Sequence, residues 1–288
     1  MKSYDDMDLE LKWSTTSATG GQLSTTLPQT IRTFEEFAKV DVYTGDIDPV
    51  YWAIYRARET MSHGWATRFS VAMLAYYHTG TAAKAADLEG IHFWDYLESI
   101  FEGTVTPRAA ERRHFRGEGG RKTLASMRQS SPNPDRFYDN IPRNYRGIMR
   151  YCESKFYGFG PYFQLKIADY MDRCLGIPLD DMIGLSTNLP TLPAKAAVLL
   201  YVNHSAPDAF NKACERVYVL NLLAPPLFDR PVGPAEVETI LCDWKRAKYG
   251  THWVGDDVLD KRTSLGTHPM ADLMPPTFDK GTFKLDLL

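Results

Sequence analysis

The amino-acid sequence predicts a mainly α-helical fold. Apolar and polar residues alternate for no more than a few positions at a time, so no half-buried strand is indicated. Apolar residues instead recur at helical spacing in several segments, some of which begin at a capping residue or a proline. The chain has 288 residues, of which 44% are hydrophobic, 24% charged and 12% aromatic, a composition that suits a globular protein and excludes a disordered or fibrous one.

The first two helices are predicted from their capping residues. Thr33 is expected to cap a helix together with Glu36, which stands at the reciprocal position of a capping box. Asp48 and Pro49 are expected to open a second helix, because aspartate is a good cap and proline suits the first helical position. This second helix has one apolar face, formed by Val50, Ile54, Ala57 and Met61.

Seven more helices are predicted from apolar spacing and helix-end signals. They cover approximately residues 65–77, 91–101, 143–156, 161–175, 193–202, 208–222 and 235–248. Both ends of the chain lie outside this pattern. We therefore expect an irregular arm over residues 1–30, a helical body over 31–250 and an irregular tail over 251–288, where glycine and proline interrupt any helical period.

The net charge of −3 hides three segments of opposite sign. Residues 1–105 hold 8 basic and 15 acidic residues, and residues 151–288 hold 14 and 17, which gives −7 and −3. Residues 106–150 hold 11 basic residues against 4 acidic ones, a net charge of +7, and ten of the eleven are arginines. Because the guanidinium group grips phosphate with two parallel hydrogen bonds, this bias points to phosphate recognition.

Two trios of arginines are spaced to form stripes along helix faces, and aromatic residues lie among them. The trios are Arg108, Arg112, Arg116 and Arg143, Arg146, Arg150; the aromatic residues are Phe115, Phe137, Tyr138, Tyr145, Tyr151 and Tyr157. Guanidinium groups that hold phosphates and rings that stack on bases together predict a nucleic-acid surface. A solvated basic face that pairs with the acidic flanks is the alternative.

Residues 143–175 predict a helix–hairpin–helix. Gly158 and Gly160 predict a tight turn after the first helix, and Pro161 starts the second. The glycines leave backbone N–H groups exposed beside the positive end of the second helix dipole, so the turn suits a phosphate oxygen. Taken without the arginines before it, the turn also fits an ordinary helix–helix corner.

Four polar residues share one face of the second helix, namely Tyr162, Lys166, Asp169 and Arg173. Lys166 and Asp169 stand one turn apart and are candidates for a general acid/base pair, although their spacing alone favours a simple surface pair. Asp180 lies twenty residues beyond Gly160 and is a second candidate base.

The hairpin and the following aspartate resemble the helix–hairpin–helix DNA glycosylase superfamily. The Leu-Pro that usually precedes the first glycine is Phe156-Tyr157 here, and clustered cysteines are absent. GPYFQLKIAD at 160–169, together with DPVYWAIYRARE and RFSVAMLAYYHTGTA in the first third, is more similar to a phage branch of that superfamily. This branch is named alpha-glutamyl/putrescinyl thymine pyrophosphorylase, or amino acid:DNA transferase. The resemblance implies a DNA glycosylase-like helical fold.

The resemblance also implies a reaction and its partners. The DNA partner carries 5-hydroxymethyl-uracil activated by phosphate or pyrophosphate, and a small amine or amino acid, such as glycine, replaces that leaving group. Asp169 is the first candidate for the base that deprotonates the amine, and Asp180 is the second. Candidates for binding the leaving group or substrate are Arg56, Arg58, Lys166 and Tyr162. The two arginine trios, Gly158 and Gly160 are the candidates for DNA binding.

No motif indicates a metal, a cofactor or a membrane. The seven histidines lack H-x-x-x-H spacing and the four cysteines form no C-x-x-C pair, so neither a metal site nor an iron–sulfur cluster is predicted. The longest apolar run, 196–202, is far shorter than the roughly 20 residues that cross a bilayer. We therefore expect a cytoplasmic protein without cofactor, located in the bacterial host if a phage encodes it.

Two other functions stay open from the sequence. The first is a monofunctional glycosylase in which Asp180 positions water, and its product would be abasic DNA. The second is a non-enzymatic helix–hairpin–helix module, in which changes at Asp169 or Asp180 would have no effect beyond DNA binding. The long aromatic body outside the hairpin favours an enzyme pocket, because a binding module needs far fewer residues.

Overall fold

A computed structural model describes residues 9–13, 23–100, 115 and 117–287. Helices dominate this part of the chain, which confirms the predicted mainly α-helical fold. In the same residues, strand pairing is limited to two small two-stranded sheets and an isolated bridge. None of the described helices is long and apolar enough to span a membrane.

The α-helices follow one another through most of the chain. In order they are α1 (Phe34–Thr44), α2 (Pro49–Thr60), α3 (His63–Tyr76), α4 (Thr79–Ala86), α5 (Gly90–Ser99), α6 (Gly117–Ser130), α7 (Tyr145–Lys155), α8 (Pro161–Asp169), α9 (Thr191–Leu200), α10 (Ala206–Tyr218), α11 (Pro234–Lys248) and α12 (Asp256–Leu265). A π-helix, Tyr170–Cys174, continues α8, and 3₁₀ turns cover Pro134–Arg136 and Pro269–Leu273.

The chain divides into two compact units. One holds residues 1–49, 186–260 and 275–288, and in it α1 and α9 to α11 pack on one another. The other holds residues 50–185 and 261–274, and in it α3 packs on α4 and α5 while α6, α7 and α8 pack in sequence. This second unit contains the predicted helix–hairpin–helix.

Local signals account for the start of α1. The side chain of Thr33 accepts a hydrogen bond from the amide of Glu36 at 3.1 Å, and the Glu36 carboxylate accepts one from the amide of Thr33 at 3.0 Å. The predicted capping box is therefore confirmed. Helix α2 begins at Pro49 as predicted, and Val50, Ile54 and Ala57 of its apolar face are buried.

Three helices, α4, α6 and α12, were missing from the prediction. Helix α4 is short, and its cap is a histidine: Nδ1 of His78 accepts a hydrogen bond from the amide of Thr81 at 3.0 Å. Helix α6 begins with Gly-Glu-Gly-Gly, a sequence typical of loops. Burial of Leu124 and Met127 offsets the low helix propensity of these glycines.

The expectation of irregular ends was wrong for the described residues. Strand β1 (Leu9–Trp13) pairs antiparallel with β2 (Leu23–Leu27), and β3 (Thr30–Ile31) pairs in parallel with β4 (Lys284–Leu285). The tail also contains α12, and the backbone amides of Gly255 and Val258 donate to the carboxylate of Asp46. Local patterns missed β3, β4 and α12 because the partners of these elements lie more than 200 residues away in sequence.

Candidate active site

Helices α7 and α8 are joined by a tight turn at the glycines, as the sequence predicted. Gly158 has a φ of 75°, in the left-handed region that favours glycine. The amide of Gly160 donates to the carbonyl of Gly158 at 3.0 Å, and Gly160 then caps α8, whose first residue is Pro161. The N-terminal end of α8 therefore lies directly at the turn.

Aromatic packing holds the hairpin in place. The ring of Phe159 stacks on Phe163 with centroids 4.7 Å apart and lies 4.9 Å from the ring of Phe156. The amide of Tyr157 donates to the Ser126 hydroxyl of α6 at 2.9 Å. Because both sides of the turn are fixed, the backbone groups at the start of α8 are held in one arrangement.

Lys166 and Asp169 form a buried ion pair on α8. Their side chains are 5% and 0% exposed, and Nζ of Lys166 lies 3.3 Å from Oδ2 of Asp169. The expectation of a surface pair was therefore wrong. Helical spacing identified the two residues as neighbours but carries no information on whether a polar face points to water or to a second layer of helices.

The hydroxyl of Tyr51, on α2, joins the two members of this pair. It donates a hydrogen bond to Oδ2 of Asp169 at 2.9 Å and accepts one from Nζ of Lys166 at 2.6 Å. Tyr51 is itself buried. The three side chains make a continuous path along which a proton can move between ammonium, phenol and carboxylate.

Arg173 completes this cluster, which we call the Tyr51 cluster and define as Tyr51, Lys166, Asp169 and Arg173. The guanidinium of Arg173 lies 4.5 Å from the centre of the Tyr51 ring, and the side chain of Arg173 is buried. Tyr170 packs edge-on against Tyr51 at 5.4 Å, and burial raises the pKa of its phenol well above the ordinary value. Tyr170 is thus a neutral wall of the cluster.

The charges of the Tyr51 cluster suit an anionic reactant. Two cations and one carboxylate surround a single phenol, which gives the buried group an excess of one positive charge when all three are ionised. Fixed cations in a dry environment stabilise negative charge more strongly than they do in water. Arg173 also stands on the π-helix, a feature that recurs at functional sites because its wide turn re-aims side chains.

The two predicted arginines of α2 have different surroundings. Arg58 follows Tyr51 by seven residues, which places it on the same helix face about 10 Å farther along, and its guanidinium lies 4.5 Å from the Tyr55 ring. Arg56 lies on another face, donates to the carbonyl of Leu273 at 3.3 Å and stacks over Trp52. Burial lowers the pKa of the Arg56 guanidinium. Arg58 is therefore the better placed of the two.

Asp180 and Tyr162 are more exposed to solvent than the buried Lys166–Asp169 pair. Asp180 is exposed, and its amide donates to the carbonyl of Arg143 at 2.7 Å, so it stands beside the arginine residues. Tyr162 is partly exposed on the first turn of α8, with its ring against Phe163 at 5.3 Å. Asp169 is thus buried and hydrogen-bonded to Tyr51, whereas Asp180 is exposed, and both stay candidates for the base.

The second arginine trio is exposed, but it is not a single helix stripe. Helix α7 begins at Tyr145, so Arg146 and Arg150 lie on it whereas Arg143 precedes it. Asn144 caps the N-terminal end of α7, and its side chain accepts a hydrogen bond from the amide of Gly147 at 2.8 Å. Arg108, Arg112 and Arg116 of the first trio lie outside the described residues.

Most of the aromatic residues predicted to stack on bases belong to the core. Phe115, Phe137, Tyr138 and Tyr145 are buried. Tyr157 is 55% exposed, at the hairpin, with Nζ of Lys122 5.9 Å from its ring centre. The aromatic spacing was misread because a helical body of this size needs large side chains to fill its interior.

Comparison with known proteins identifies the family. The family model described as amino acid:DNA transferase matches residues 33–251, more than half of the chain. The chain belongs to the amino acid:DNA transferase family. It is therefore a transferase, and the resemblance read from the hairpin and the first third of the sequence is confirmed.

Two phage proteins are similar to this transferase over most of their length. A putrescinyltransferase of Delftia phage PhiW-14 is 33% identical over 259 residues, which cover 83% of this chain and 82% of the relative. A glycinyltransferase of Pseudomonas phage PaMx11 is 30% identical over 272 residues, which cover 79% of this chain and 88% of the relative.

Sequence reasoning missed one member of the Tyr51 cluster and gave another no role. Tyr51 is 115 residues from Lys166, and nothing in its local pattern separates it from the other aromatic residues of α2. Arg173 was placed on the polar face of α8 but not among the site residues. A signal existed for Arg173, since its offset of seven from Lys166 brings the two to the same helix face.

Proposed function

We propose that this transferase joins an amine or an amino acid to a thymine-derived base in DNA. The base is 5-hydroxymethyl-deoxyuridine whose hydroxyl carries a phosphate or pyrophosphate. The observation that carries the proposal is the Tyr51 cluster, which places a carboxylate and two cations on and beside the helix that begins at the hairpin. Amine transfer with an anionic leaving group needs both kinds of group in one place.

The proposed reaction exchanges one bond for another at the exocyclic methylene carbon. The incoming ammonium group gives up one proton to a base, and its nitrogen forms a C–N bond with the methylene carbon. The C–O bond to the phosphate or pyrophosphate breaks, and the leaving group departs with the electron pair of that bond. The product is a secondary ammonium group attached to the base of otherwise intact DNA.

In this proposal Asp169 is the base and Tyr51 connects it to the amine. The Tyr51 hydroxyl gives its proton to Oδ2 of Asp169, 2.9 Å away, as it takes one from the ammonium group. Lys166 donates to the same hydroxyl oxygen at 2.6 Å and stabilises the negative charge that develops there. Asp180 is exposed and ranks second as a base.

The cations close to Tyr51 are assigned the role of binding the leaving group. Lys166 and Arg173 flank the Tyr51 ring, at 5.0 and 4.5 Å from its centre, and Arg58 lies two helical turns farther along α2. Negative charge grows on the phosphate oxygens as the C–O bond breaks, so these cations stabilise the transition state more than the ground state. Arg56 and Tyr162 are retained as further substrate contacts.

DNA is proposed to bind at the hairpin and the exposed arginines. A side chain at Gly160 would meet nothing within 4 Å, so open space adjoins the start of α8, where a phosphate would accept from the backbone N–H groups of the first turn. Arg143, Arg146 and Arg150 are exposed on and before the preceding helix. The target base must leave the stack to react, as in other enzymes that modify bases.

Mass spectrometry of nucleosides tests this proposal. DNA that carries pyrophosphorylated 5-hydroxymethyl-uracil is incubated with the protein and a panel that includes glycine, glutamate and putrescine, and is then digested. We expect an aminomethyl nucleoside whose mass is that of 5-hydroxymethyl-deoxyuridine plus the amine minus water, and no such product with Asp169→Asn or with unphosphorylated DNA. Free base and abasic sites would instead indicate a glycosylase. In a phage-infected cell this reaction would take place in the bacterial cytoplasm.

A further inference from the structure

The first unit contains a buried acidic cluster that the proposed reaction does not use. Asp41 lies on α1, Asp46 in the α1–α2 connection and His252 in the α11–α12 connection. All three are at most 3% exposed, and one ligand atom from each lies within 4.8 Å of the others. The sequence predicted no metal site, because ligands about 200 residues apart form no short motif.

Asp41 is the residue that points to a ligand. It is fully buried, and among the described residues neither of its side-chain oxygens has a hydrogen-bond partner. A buried carboxylate without hydrogen bonds is strongly unfavourable unless a cation or another donor compensates it. One of its oxygens lies within 4.8 Å of a ligand atom of Asp46 and of His252, a distance that ligands of one cation span.

Asp46 and His252 are already arranged as two adjacent ligands. The amides of Gly255 and Val258 donate to the two oxygens of Asp46, at 2.8 and 3.1 Å, and so fix the carboxylate. Nε2 of His252 lies 3.1 Å from Oδ2 of Asp46. Two neighbouring ligands of an octahedral cation with bonds of about 2.1 Å stand about 3 Å apart.

A second group of possible ligands, Asp243 and Asp257 with His252, is less suitable. Arg246 lies between these two carboxylates, with Nη1 at 3.2 Å from Asp243 and 2.9 Å from Asp257, and so balances much of their charge. With a cation bound, Asp41 and Asp46 would together supply two negative charges beside the shared histidine. A divalent cation would balance them.

We propose that Asp41, Asp46 and His252 bind one hard divalent cation of the Mg²⁺ and Mn²⁺ class. Carboxylate oxygens favour this class, and a single imidazole is compatible with Mn²⁺. The cation joins the α1–α2 connection to the α11–α12 connection within the first unit, so its function is to stabilise that unit. The proposal is independent of the reaction proposed for the Tyr51 cluster.

Titration of the full-length, EDTA-treated and tag-free protein with Mn²⁺ tests the site. The paramagnetic resonance signal of unbound Mn²⁺ gives the stoichiometry, and thermal unfolding gives Tm. We expect one Mn²⁺ per chain and a Tm that rises with Mn²⁺ concentration. In protein labelled with ¹⁵N-histidine, the spectrum of bound Mn²⁺ should contain coupling to one imidazole nitrogen. No stoichiometric binding, or no such coupling, would overturn the proposal without recourse to variants.

Asp41→Asn provides the matched variant. It should bind Mn²⁺ at least tenfold more weakly and lose the rise in Tm, while its Tm in EDTA should equal or exceed that of the wild type because a buried charge is gone. Asp229→Asn, which removes an exposed carboxylate from the same unit, should behave like the wild type. Equal Mn²⁺ affinity in Asp41→Asn and wild type would contradict the assignment.

Discussion

The hydroxyl of Tyr51 lies 2.6 Å from Nζ of Lys166 and 2.9 Å from Oδ2 of Asp169, so one phenol is bonded to both members of a buried ion pair. The tyrosine comes from α2 and the ion pair from α8, two helices separated by more than 100 residues. In the proposed reaction this contact is the path of the proton, and its removal should affect chemistry more than folding.

Tyr51→Phe is expected to slow amine transfer by about 100-fold or more, because loss of a proton-transfer group removes a factor of roughly 10² to 10⁴. Affinity for DNA should not change. The measurement is a single-turnover rate of aminomethyl nucleoside formation. Tyr76→Phe is the control, since it also removes a buried tyrosine hydroxyl that is hydrogen-bonded, in this case to the carbonyl of Leu97 outside the Tyr51 cluster. Equal rate losses in the two variants would refute the relay.

Asp169→Leu should destabilise the protein by about 3–5 kcal/mol, because it removes the one carboxylate among two buried cations, whereas Lys166→Met should cost less because Arg173 still balances the charge of Asp169. The double variant should be less destabilised than the sum of the two, since it removes both charges at once. Urea unfolding of the four proteins measures this. Additive losses would mean that the ion pair contributes no coupling energy.

The Lys166–Asp169 pair also shows which features could be predicted from the sequence and which could not. The glycines and proline of the hairpin act locally, so the turn and the start of α8 were predicted correctly. Which face of α8 is buried depends on helices that come from elsewhere in the chain, and the surface-pair expectation therefore failed. Tyr51 was missed for the same reason, and α12 because Asp46 receives hydrogen bonds from its first turn only in the folded protein.

The distribution of charge along the sequence located an exposed basic region correctly, but the residues around these charges gave less information about the role of single side chains. The excess of arginine at 106–150 correctly marked exposed cations at Arg143, Arg146 and Arg150. The aromatic residues between them were mostly core, because large rings fill a helical interior as readily as they stack on bases. Aromatic spacing alone does not distinguish these two uses.

Replacement of Arg143, Arg146 and Arg150 by alanine should weaken DNA binding and reduce the salt dependence of log K by about 3, if each arginine contacts one phosphate. Fluorescence anisotropy over a range of salt concentrations measures the slope. Alanine replacement of three exposed lysines outside the positive segment, Lys212, Lys280 and Lys284, removes the same charge and should leave the slope close to that of wild type. An unchanged slope in the arginine variant would exclude these residues from the DNA surface.

Gly158→Ala and Gly160→Ala should differ in their effects. Gly158 has a φ of 75°, so alanine there should destabilise the fold by about 1–2 kcal/mol. Gly160 is extended with open space around it, so alanine should leave stability unchanged but weaken DNA binding by covering the N–H groups of α8. Thermal unfolding and anisotropy separate the two. Wild-type DNA affinity in Gly160→Ala would argue against phosphate contact at this turn.

The transfer reaction itself is tested most directly by counting both products. Wild-type protein is incubated with DNA carrying pyrophosphorylated 5-hydroxymethyl-uracil and a ¹⁵N-labelled amine, and the released pyrophosphate and the labelled nucleoside are quantified together. We predict one pyrophosphate for each ¹⁵N-aminomethyl nucleoside, with the DNA strand intact. Pyrophosphate release without ¹⁵N in the nucleoside, or abasic sites in place of the modified base, would contradict amine transfer.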